Sequence, residues 1–466
     1  MVDITAAHWW QPSDPDKPLP GILLKDDEHG WVLQLDGTFQ ESVVPDATTD
    51  GEPIVVEFGL PDTFPILVGI TSHGLLISLV DCQVLEASFP FAGSRGSLKV
   101  WPTLLIYDVH FESADDFRLA SLSIRYSNLD TWVATSGFSV QFGPNLYPAE
   151  VKYSIPESIE GMLSDGLIIG VKFSASGPSV PAVTNVHIVQ QSWLTVTSTQ
   201  DLLYKDLFRH INNLANFVSL GVGEPLIPLE MTAMCTALDR SGAEHSVRVR
   251  LVSNRQPIVA SSRDVPHWDM LFTLPDIRFS DLVTAWFLRD EALQSLCDLY
   301  FGTLRSPSMY VEHRFINMFQ ALESYDRRTF KPTPEKIRKH QEQLDRILNA
   351  VGVSDQRWLK QSLRHSHEPA AADRIRRLAN KLDAGWLLSN EDITLAGSLR
   401  NYYTHFDPEV DQRLPLKKDR YRTMHNLAVR LRVLCELVLL DAIGFPKDEA
   451  RNRMQKTRRV ERHLVT

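Results

Sequence analysis

The stretch Met270-Leu271-Phe272-Thr273-Leu274-Pro275-Asp276 divides the sequence into two parts with different hydrophobic patterns. Before it, short apolar runs alternate with turn signals. After it, apolar residues recur at helical spacing. We expect residues 270–274 to form the last strand of the first part, and the boundary to lie at Pro275-Asp276.

The first part, residues 1–275, is predicted to be a β-rich domain. Residues 21–24 and 31–35, the latter followed by Asp36-Gly37, have the pattern of a hairpin. Further strands are predicted at residues 54–58, 66–70, 75–80, 104–107, 121–126, 138–142, 166–171, 186–189 and 246–252. One helix is predicted between residues 201 and 220. Many short strands without alternating helices favour an antiparallel sandwich or barrel over a parallel sheet.

The second part is predicted to be almost entirely helical. Asp281 is a plausible N-cap, and Thr333-Pro334-Glu335 has the cap and the proline typical of a helix start. Helices are predicted at residues 281–288, around 296–304, and at 309–327, 355–363, 370–382, 393–405 and 420–442. The fold class is therefore α+β multidomain. A β-sandwich or barrel-like domain precedes an all-α bundle at residues 281–445 and a basic tail at residues 446–466.

The formal charge of −10 hides a difference between the two parts. From residue 281 onward there are 32 Lys+Arg against 25 Asp+Glu, a charge of +7, which leaves −17 for residues 1–280. The parts therefore have different tasks, or the second simply has a mildly basic solvated surface. The four cysteines lie far apart, which indicates reduced thiols. Without a signal peptide or a long apolar run, we expect a cytoplasmic protein that does not contact a membrane.

Common catalytic motifs are missing from the sequence. There is no phosphate-binding loop, dinucleotide fingerprint, zinc-protease motif or nucleophile elbow, and we expect neither a cofactor nor a metal. What remains is Leu399-Arg400-Asn401-Tyr402-Tyr403-Thr404-His405. Arg-x-x-x-x-His also occurs at Arg240/His245, Arg420/His425 and Arg458/His463. Spacing alone therefore does not single out Arg400. Of the four arginines, however, only Arg400 is followed by an amide, Asn401.

The six residues Arg400–His405, called the hexad below, lie near the predicted end of an amphipathic helix. Its apolar stripe consists of Ile393, Leu395, Leu399, Tyr402 and Phe406. The pair Asp407-Pro408 should end the helix at about residue 405 or 406. A histidine in the last turn meets the negative end of the helix dipole, which favours the protonated imidazole.

Each polar residue of the hexad suits one task in RNA cleavage. Asn401 and His405, four residues apart, share a helix face, with Arg400 about 100° away. Arg400 would bind the scissile phosphate, Asn401 would orient an oxygen, and His405 would transfer a proton. The 2′-hydroxyl of RNA supplies the nucleophile. In the alternative interpretation Arg400 pairs with a carboxylate such as Glu323, and His405 only caps the helix.

The motif Arg-Asn-x-x-x-His in a C-terminal helical bundle resembles the signature of HEPN-domain ribonucleases. Glu312-His313-Arg314-Phe315 and Gln320-Ala321-Leu322-Glu323 resemble an earlier helix of the ApeA-like HEPN branch. The hairpins of the first part, with Ser127-Asn128-Leu129-Asp130-Thr131-Trp132, resemble the β-rich domain that precedes this bundle in ApeA proteins. The resemblance covers nearly the whole chain.

The resemblance implies a bacterial anti-phage protein with a metal-independent endoribonuclease that acts by abortive infection. Such bundles pair as homodimers, and cleavage leaves a 2′,3′-cyclic phosphate. Arg400, Asn401 and His405 would be catalytic. Tyr402 or Tyr403 would stack on an RNA base or, in the alternative, pack against other side chains of the protein.

Glu312 and Glu323, which match more loosely, would contact the catalytic side chains without touching the substrate. The β-rich domain would sense infection or restrain the bundle, and a phage-derived trigger would act through it. The RNA target is open, with transfer RNA as one candidate that no residue specifies. In the second interpretation the bundle is a non-catalytic HEPN scaffold whose β-rich domain binds a ligand or partner protein.

Overall fold

The computed structural model describes residues 4–26, 28–39, 61–88, 96–143, 148–177, 186–238, 244–254, 263–364, 366–406, 408–412, 414–457 and 460. They form two compact units. The first contains residues 1–215 and 226–261, and the second contains residues 216–225 and 262–466.

Fourteen described strands build the first unit, and every pair of neighbours is antiparallel. They are β1 (Ile4–Trp10), β2 (Leu19–Asp26), β3 (Gly30–Leu35), β4 (Thr63–Thr71), β5 (Leu76–Ser88), β6 (Ser97–Tyr107), β7 (Arg118–Tyr126), β8 (Phe138–Phe142), β9 (Pro148–Tyr153), β10 (Ile159–Met162), β11 (Ile168–Ser176), β12 (Val189–Leu203), β13 (Pro228–Leu238) and β14 (Glu244–Ser253). Two helices interrupt them, α1 (Leu129–Val133) and α2 (Tyr204–Val222).

Six of the strands close into a barrel. Their order is β6-β3-β2-β1-β4-β5, and β5 pairs again with β6. From β6 the sheet continues outward as β14-β13-β7-β12-β11-β10, while β8 and β9 form a separate two-stranded sheet. Closure removes the free edges that strands β1–β5 would otherwise expose. The predicted antiparallel barrel-like domain is confirmed.

Large apolar side chains fill the barrel. Trp9, Leu23, Leu33 and Leu67 are fully buried there. Gly69 on β4 lies directly under the ring of Trp9, since a Cβ at this glycine would stand 2.3 Å from the indole. The residue without a side chain therefore makes room for the largest one, in line with the close packing of protein interiors.

A buried asparagine joins three segments of the first unit. Asn254 donates through Nδ2 to the carbonyl of Trp31 at 2.6 Å and to that of Pro102 at 2.8 Å, and its Oδ1 accepts from Trp31 N. Gly30 lies beside it with φ +76°, and a Cβ there would stand 2.6 Å from Asn254 Oδ1. Glycine is therefore required at the start of β3.

Three strand predictions do not match the described chain. Residues 270–274 are not a strand, because Leu271 N donates to the carbonyl of Gly221 and Phe272 packs on Phe217 and Phe445 of the second unit. The run is apolar because it is buried among helices. The strand predicted at residues 186–189 begins only at Val189. The strand predicted at residues 54–58 lies outside the described residues.

The second unit is a helical bundle, as predicted. Its α-helices are α3 (Phe279–Phe287), α4 (Gln294–Leu304), α5 (Val311–Thr329), α6 (Pro334–Ala350), α7 (Val353–Leu363), α8 (Ala371–Lys381), α9 (Asn390–His405), α10 (Pro408–Asp411), α11 (Lys417–Ala442) and α12 (Lys447–Lys456). Thr333 caps α6 through the backbone N–H of Lys336, as predicted. Arg278, and not Asp281, is the N-cap residue of α3, so Asp281 lies in the first turn.

The bundle surrounds α5 and α11, which carry most of its buried apolar side chains. Phe315, Phe319 and Leu322 of α5 and Leu431 and Leu439 of α11 are fully buried. The C-terminal segment expected as a basic tail contains α12, whose Met454 is also fully buried. Within the part of the chain that the structure describes, no helix is long and apolar enough to cross a membrane.

Candidate active site

Helix α9 places the Arg400–His405 hexad in its last two turns. A capping box starts the helix, because Ser389 Oγ accepts from Asp392 N and the Asp392 carboxylate accepts from Ser389 N. The helix ends at His405, as predicted, and Phe406 follows in the left-handed conformation with φ 52°. This turn carries Phe406 out to 64% exposure. The expected continuation of the apolar stripe to Phe406 is therefore wrong.

The polar residues of the hexad point to different sides of α9. Asn401 and His405 are exposed, in agreement with their spacing of four residues. His405 makes no hydrogen bond or ion pair with any residue that the structure describes. Arg400 lies partly inward, with 29% of its side chain exposed. An imidazole and a guanidinium are thus both reachable from outside the bundle.

Two contacts fix the Arg400 guanidinium. Its Nη2 donates to Glu323 Oε2 on α5 at 3.1 Å, and its Nη1 donates to Asn401 Oδ1 at 3.2 Å. Glu323 is nearly buried, with 9% of its side chain exposed. Because a guanidinium has five N–H donors, these contacts leave further donors for an anion. The ion pair that the alternative interpretation expected is therefore present, but the predicted cap by His405 is not seen among the described residues.

The carboxylate that holds Arg400 belongs to a longer network. Glu323 Oε1 also accepts from Arg327 at 3.2 Å, and Arg327 reaches Glu368 at 3.8 Å. Glu368 accepts from Arg374 on α8 at 2.8 Å.

Asp326, one turn after Glu323 on α5, completes the network. It is fully buried and accepts from Arg374 at 3.3 Å and from Arg377 Nε at 2.8 Å. Arg374 is itself 3% exposed. Four guanidinium groups thus meet three carboxylates, and the network carries a net charge of about one positive unit. Paired, partly buried charges of this kind fix side-chain positions more than they add stability.

Tyr402 and Tyr403 pack beside the hexad. Their ring centroids lie 5.0 Å apart, and the Arg420 guanidinium stands 5.0 Å above the Tyr402 ring. Burial raises the pKa of Tyr403, against the effect of nearby Arg420. Arg420 is in turn paired with Asp411 at 2.7 Å. Both tyrosines are half-buried, and base stacking by either of them stays a prediction.

Two family models match the chain, in the order that its two units have. One, described as ApeA N-terminal domain 1, matches residues 5–286, which is more than half of the sequence. The other, described as Apea-like HEPN, matches residues 316–449. The chain belongs to the ApeA family. No match was found among curated proteins or among solved structures.

Membership of the ApeA family confirms the resemblance predicted from the hexad and from the order of the domains. It supports a HEPN nuclease-type protein of anti-phage defence. HEPN domains generally are ribonucleases, and they typically bind RNA and form dimers. The hexad lies inside the residues that match the Apea-like HEPN model.

Within the helical unit, the structure brings some of the predicted site residues together and leaves one, Glu312, apart. Arg400, Asn401 and Glu323 are in direct contact. Glu312 lies in the first turn of α5, three turns from Glu323. It makes no hydrogen bond to Arg400, and its nearest relation to the hexad is electrostatic, since its charge contributes to the raised pKa of Tyr403.

The remaining members of the network were not predicted. Asp326 and Arg327 follow Glu323 at spacings of three and four residues, which places them on adjoining faces of α5 and could have indicated an ion-pair group. Glu368 and Arg374 carry no comparable signal, because they reach the network only through the packing of α8 on α5.

A separate polar cavity of about 380 Å³ lies between α9 and α11. It is lined by Asp392, Arg422, Thr423, Asn426, Leu427 and Arg430. None of the hexad residues lines it, so it is distinct from the candidate active site. Among the residues described, no group of three His, Cys, Asp or Glu side chains could hold a metal ion.

Proposed function

We propose that the chain is a metal-independent endoribonuclease and the toxin of a bacterial anti-phage system acting by abortive infection. In this proposal Arg400 binds the scissile phosphate, Asn401 orients one of its oxygens, and His405 transfers the proton. The 2′-hydroxyl attacks phosphorus, the bond from phosphorus to the 5′-oxygen breaks, and a proton reaches that oxygen. The products carry a 2′,3′-cyclic phosphate and a 5′-hydroxyl.

One observation carries the proposal: a guanidinium held by two partners lies five residues from an exposed histidine on the same helix end. Glu323 and Asn401 restrict Arg400 without consuming all of its donors. A positioned cation of this kind stabilises the charge that develops on phosphate oxygens. His405 is exposed, so its imidazole can reach a bound substrate and act in general acid–base catalysis, the commonest catalytic role of histidine.

The reaction moves two protons, one from the 2′-hydroxyl and one to the 5′-oxygen. One copy of the chain supplies a single His405. We therefore propose a homodimer in which two hexads line one cleft, so that a second His405 or Arg400 completes the site. The end of α9 that carries Asn401 and His405 supports such a contact because both side chains are exposed.

The domains would divide the work. We propose residues 281–445 as the nuclease, residues 1–275 as the sensing or regulatory domain, and residues 446–466 as a basic extension. A phage-derived trigger would act on the β-rich domain, and the protein would work in the bacterial cytoplasm. The substrate is RNA, with transfer RNA as a candidate for a toxin that arrests growth.

The test compares RNA cleavage by the full chain with cleavage by Arg400→Ala and His405→Ala. Loss of a general acid or base typically lowers a rate by about 10² to 10⁴. His245→Ala is the matched control, since His245 is an exposed histidine five residues after an arginine. We expect the control to cleave like the wild type. Cleaved ends are identified by mass spectrometry, with and without a metal chelator.

Three results would overturn the proposal. The first is cleavage by His405→Ala at the wild-type rate. The second is a set of products that end in a 3′-hydroxyl. The third is cleavage that stops when divalent metals are chelated. In cells, the same variants should lose protection against phage together with RNA fragmentation.

The non-catalytic scaffold is the second candidate. The Arg400–Glu323 ion pair favours it, because an ion pair that only holds two helices together has the same appearance as one that positions a catalytic arginine. Glu323→Gln separates the two proposals. In a nuclease, Arg400 loses its orientation and cleavage falls while the fold persists. In a scaffold, no variant of the hexad or of Glu323 changes RNA integrity, and only partner binding responds.

A further inference from the structure

Helices α6 and α7 form a hairpin that contributes little to the core of the bundle. Leu344 is the single buried residue described in α6, and α7 has none. Trp358 is 66% exposed and Val353 is 84% exposed. A pair of helices that buries so little apolar surface presents most of its side chains to solvent.

The surface of this hairpin is basic. Residues 331–364 contain eight Lys+Arg against four Asp+Glu. Two of the cations have local partners, since Arg338 pairs with Glu342 and Lys339 with Glu335. The other six cations, Lys331, Lys336, Arg346, Arg357, Lys360 and Arg364, make no ion pair with any residue that the structure describes. They are therefore available to an external anion.

On α7 the cations have a regular order. Arg357, Lys360 and Arg364 follow at i, i+3 and i+7, which places them in a stripe along one side of the helix. All three are exposed. Trp358 lies about 100° from Arg357, so the indole stands next to the stripe. Cations in a row beside an exposed aromatic ring are the two elements that single-stranded nucleic acid recognition combines.

The base of the hairpin is tied to the candidate active site. Glu368, just beyond α7, contacts Arg327, which shares Glu323 with Arg400. At the same end, His340 of α6 bonds Ser366 Oγ at 2.9 Å. The hairpin is thus anchored where the guanidinium of the hexad is anchored. The ten residues of α6 that follow His340 extend about 15 Å from this point.

We propose that the α6–α7 hairpin binds single-stranded RNA, with the Arg357, Lys360 and Arg364 stripe on phosphates and Trp358 stacked on a base. This inference rests on the proposed ribonuclease function and extends it, because it assigns the surface that engages the substrate beyond the cleaved bond. The strand would run from the stripe toward the hexad.

Binding is measured on the full chain with the His405→Ala substitution, so that the probe stays intact. The probe is a fluorescein-labelled, mixed-sequence, single-stranded oligoribonucleotide, followed by anisotropy at several salt concentrations. In this background Trp358→Ala should weaken binding about ten-fold, as expected for the loss of one stacked base. Arg357→Glu with Lys360→Glu should weaken it further and flatten the dependence of affinity on salt, since fewer counterions are released.

Each variant has a matched control. Trp268→Ala removes a second exposed tryptophan, 60% exposed, outside the hairpin. Arg451→Glu with Lys456→Glu changes the net charge by the same amount on α12, where both residues are exposed. We expect both controls to bind RNA like the parent. Circular dichroism confirms that each variant is folded.

Three outcomes would overturn the inference. The hairpin variants bind RNA like the parent, the two charge-reversed doubles lose equal affinity, or Trp358→Ala changes the sedimentation of the free chain and leaves RNA affinity unchanged. In the last case the hairpin contacts another copy of the chain. Failure of the proposed function looks different: the wild-type chain cleaves no RNA, whereas hairpin-dependent binding of RNA persists.

Discussion

The barrel of the first unit and the centre of the helical unit solve the problem of core packing in opposite ways. Strands β1–β6 enclose an apolar interior in which Trp9 packs directly over Gly69. Helices α5, α8 and α9 instead enclose carboxylates and guanidinium groups, with Asp326 and Arg374 almost without solvent contact. The first interior depends on shape, whereas the second depends on pairing of charge.

The two kinds of interior tolerate different changes. An apolar core loses stability in proportion to the volume removed. A buried charge network fails when one partner is removed, because the other is left charged and desolvated. Arg400 belongs to this network, so we expect a change in the network to displace a residue of the candidate active site. We therefore expect stability and activity to be separable in the barrel and coupled in the bundle.

The largest effect is expected for Trp9→Ala in the barrel. Deleting a fully buried tryptophan costs about 3 to 5 kcal/mol of unfolding free energy. The measurement is hydrogen–deuterium exchange, read separately for peptides of β1–β6 and of α5–α9. We expect faster exchange in the barrel strands.

Trp9→Phe is the control for this prediction. It keeps an aromatic ring over Gly69 and removes an indole N–H that has no hydrogen-bond partner among the described residues. It should retain most of the stability. Equal acceleration in the α5–α9 peptides of Trp9→Ala would contradict the contrast between the two interiors.

The next effect is expected for Asp326→Ala in the bundle. Arg374 and Arg377 lose their shared partner, and the buried Arg374 keeps only its pair with Glu368, which we expect to cost about 3 kcal/mol. Urea unfolding should show the loss, and RNA cleavage should fall with it because Glu368 and Arg327 shift. Glu342→Ala breaks the exposed pair with Arg338 instead and should cost less than about 1 kcal/mol. An Asp326→Ala variant as stable as Glu342→Ala would show that the network is not structural.

The sequence predicts the two interiors to different degrees. Alternating and continuous apolar runs locate most of the barrel strands, because the order of apolar and polar residues within a strand depends on which of its faces is buried. Closure through the β5–β6 pairing is not visible locally, since it depends on residues far apart in the chain. Residues 270–274 show the limit of the pattern, because an apolar run buried among helices has the composition of a strand.

For the candidate site, the sequence predicts which residues carry the chemistry but not how they are held. Asn401 and Pro408 single out the hexad, and the helix ends where they indicate. The partner Glu323 can be named in advance, whereas Glu368 and Arg374 enter only through the packing of α8 on α5. The partners of an ion pair between distant segments have no characteristic spacing in the sequence. This part of the site can therefore be identified only from the structure.

The smallest effect is expected for a solvent-accessible charge pair of the bundle, in contrast to the buried residues of the barrel. Asp276 accepts from Thr273 and pairs with Arg453 at 2.9 Å. Burial acts to raise the pKa of Asp276, but the hydrogen bonds from Arg453 and Thr273 outweigh it and hold the pKa below its ordinary value.

Because the folded-state pKa of Asp276 is depressed, its stabilisation is present above the unfolded value of about 3.9 and disappears as the pH falls through the lower, folded-state value. About a third of each side chain is exposed, so the contribution stays below about 1 kcal/mol. The urea midpoint of Asp276→Asn should therefore lie slightly below that of the wild type at neutral pH and converge with it in strong acid. A constant offset between the two curves at every pH would mean that Asp276 acts by shape, as the barrel residues do, and not by charge.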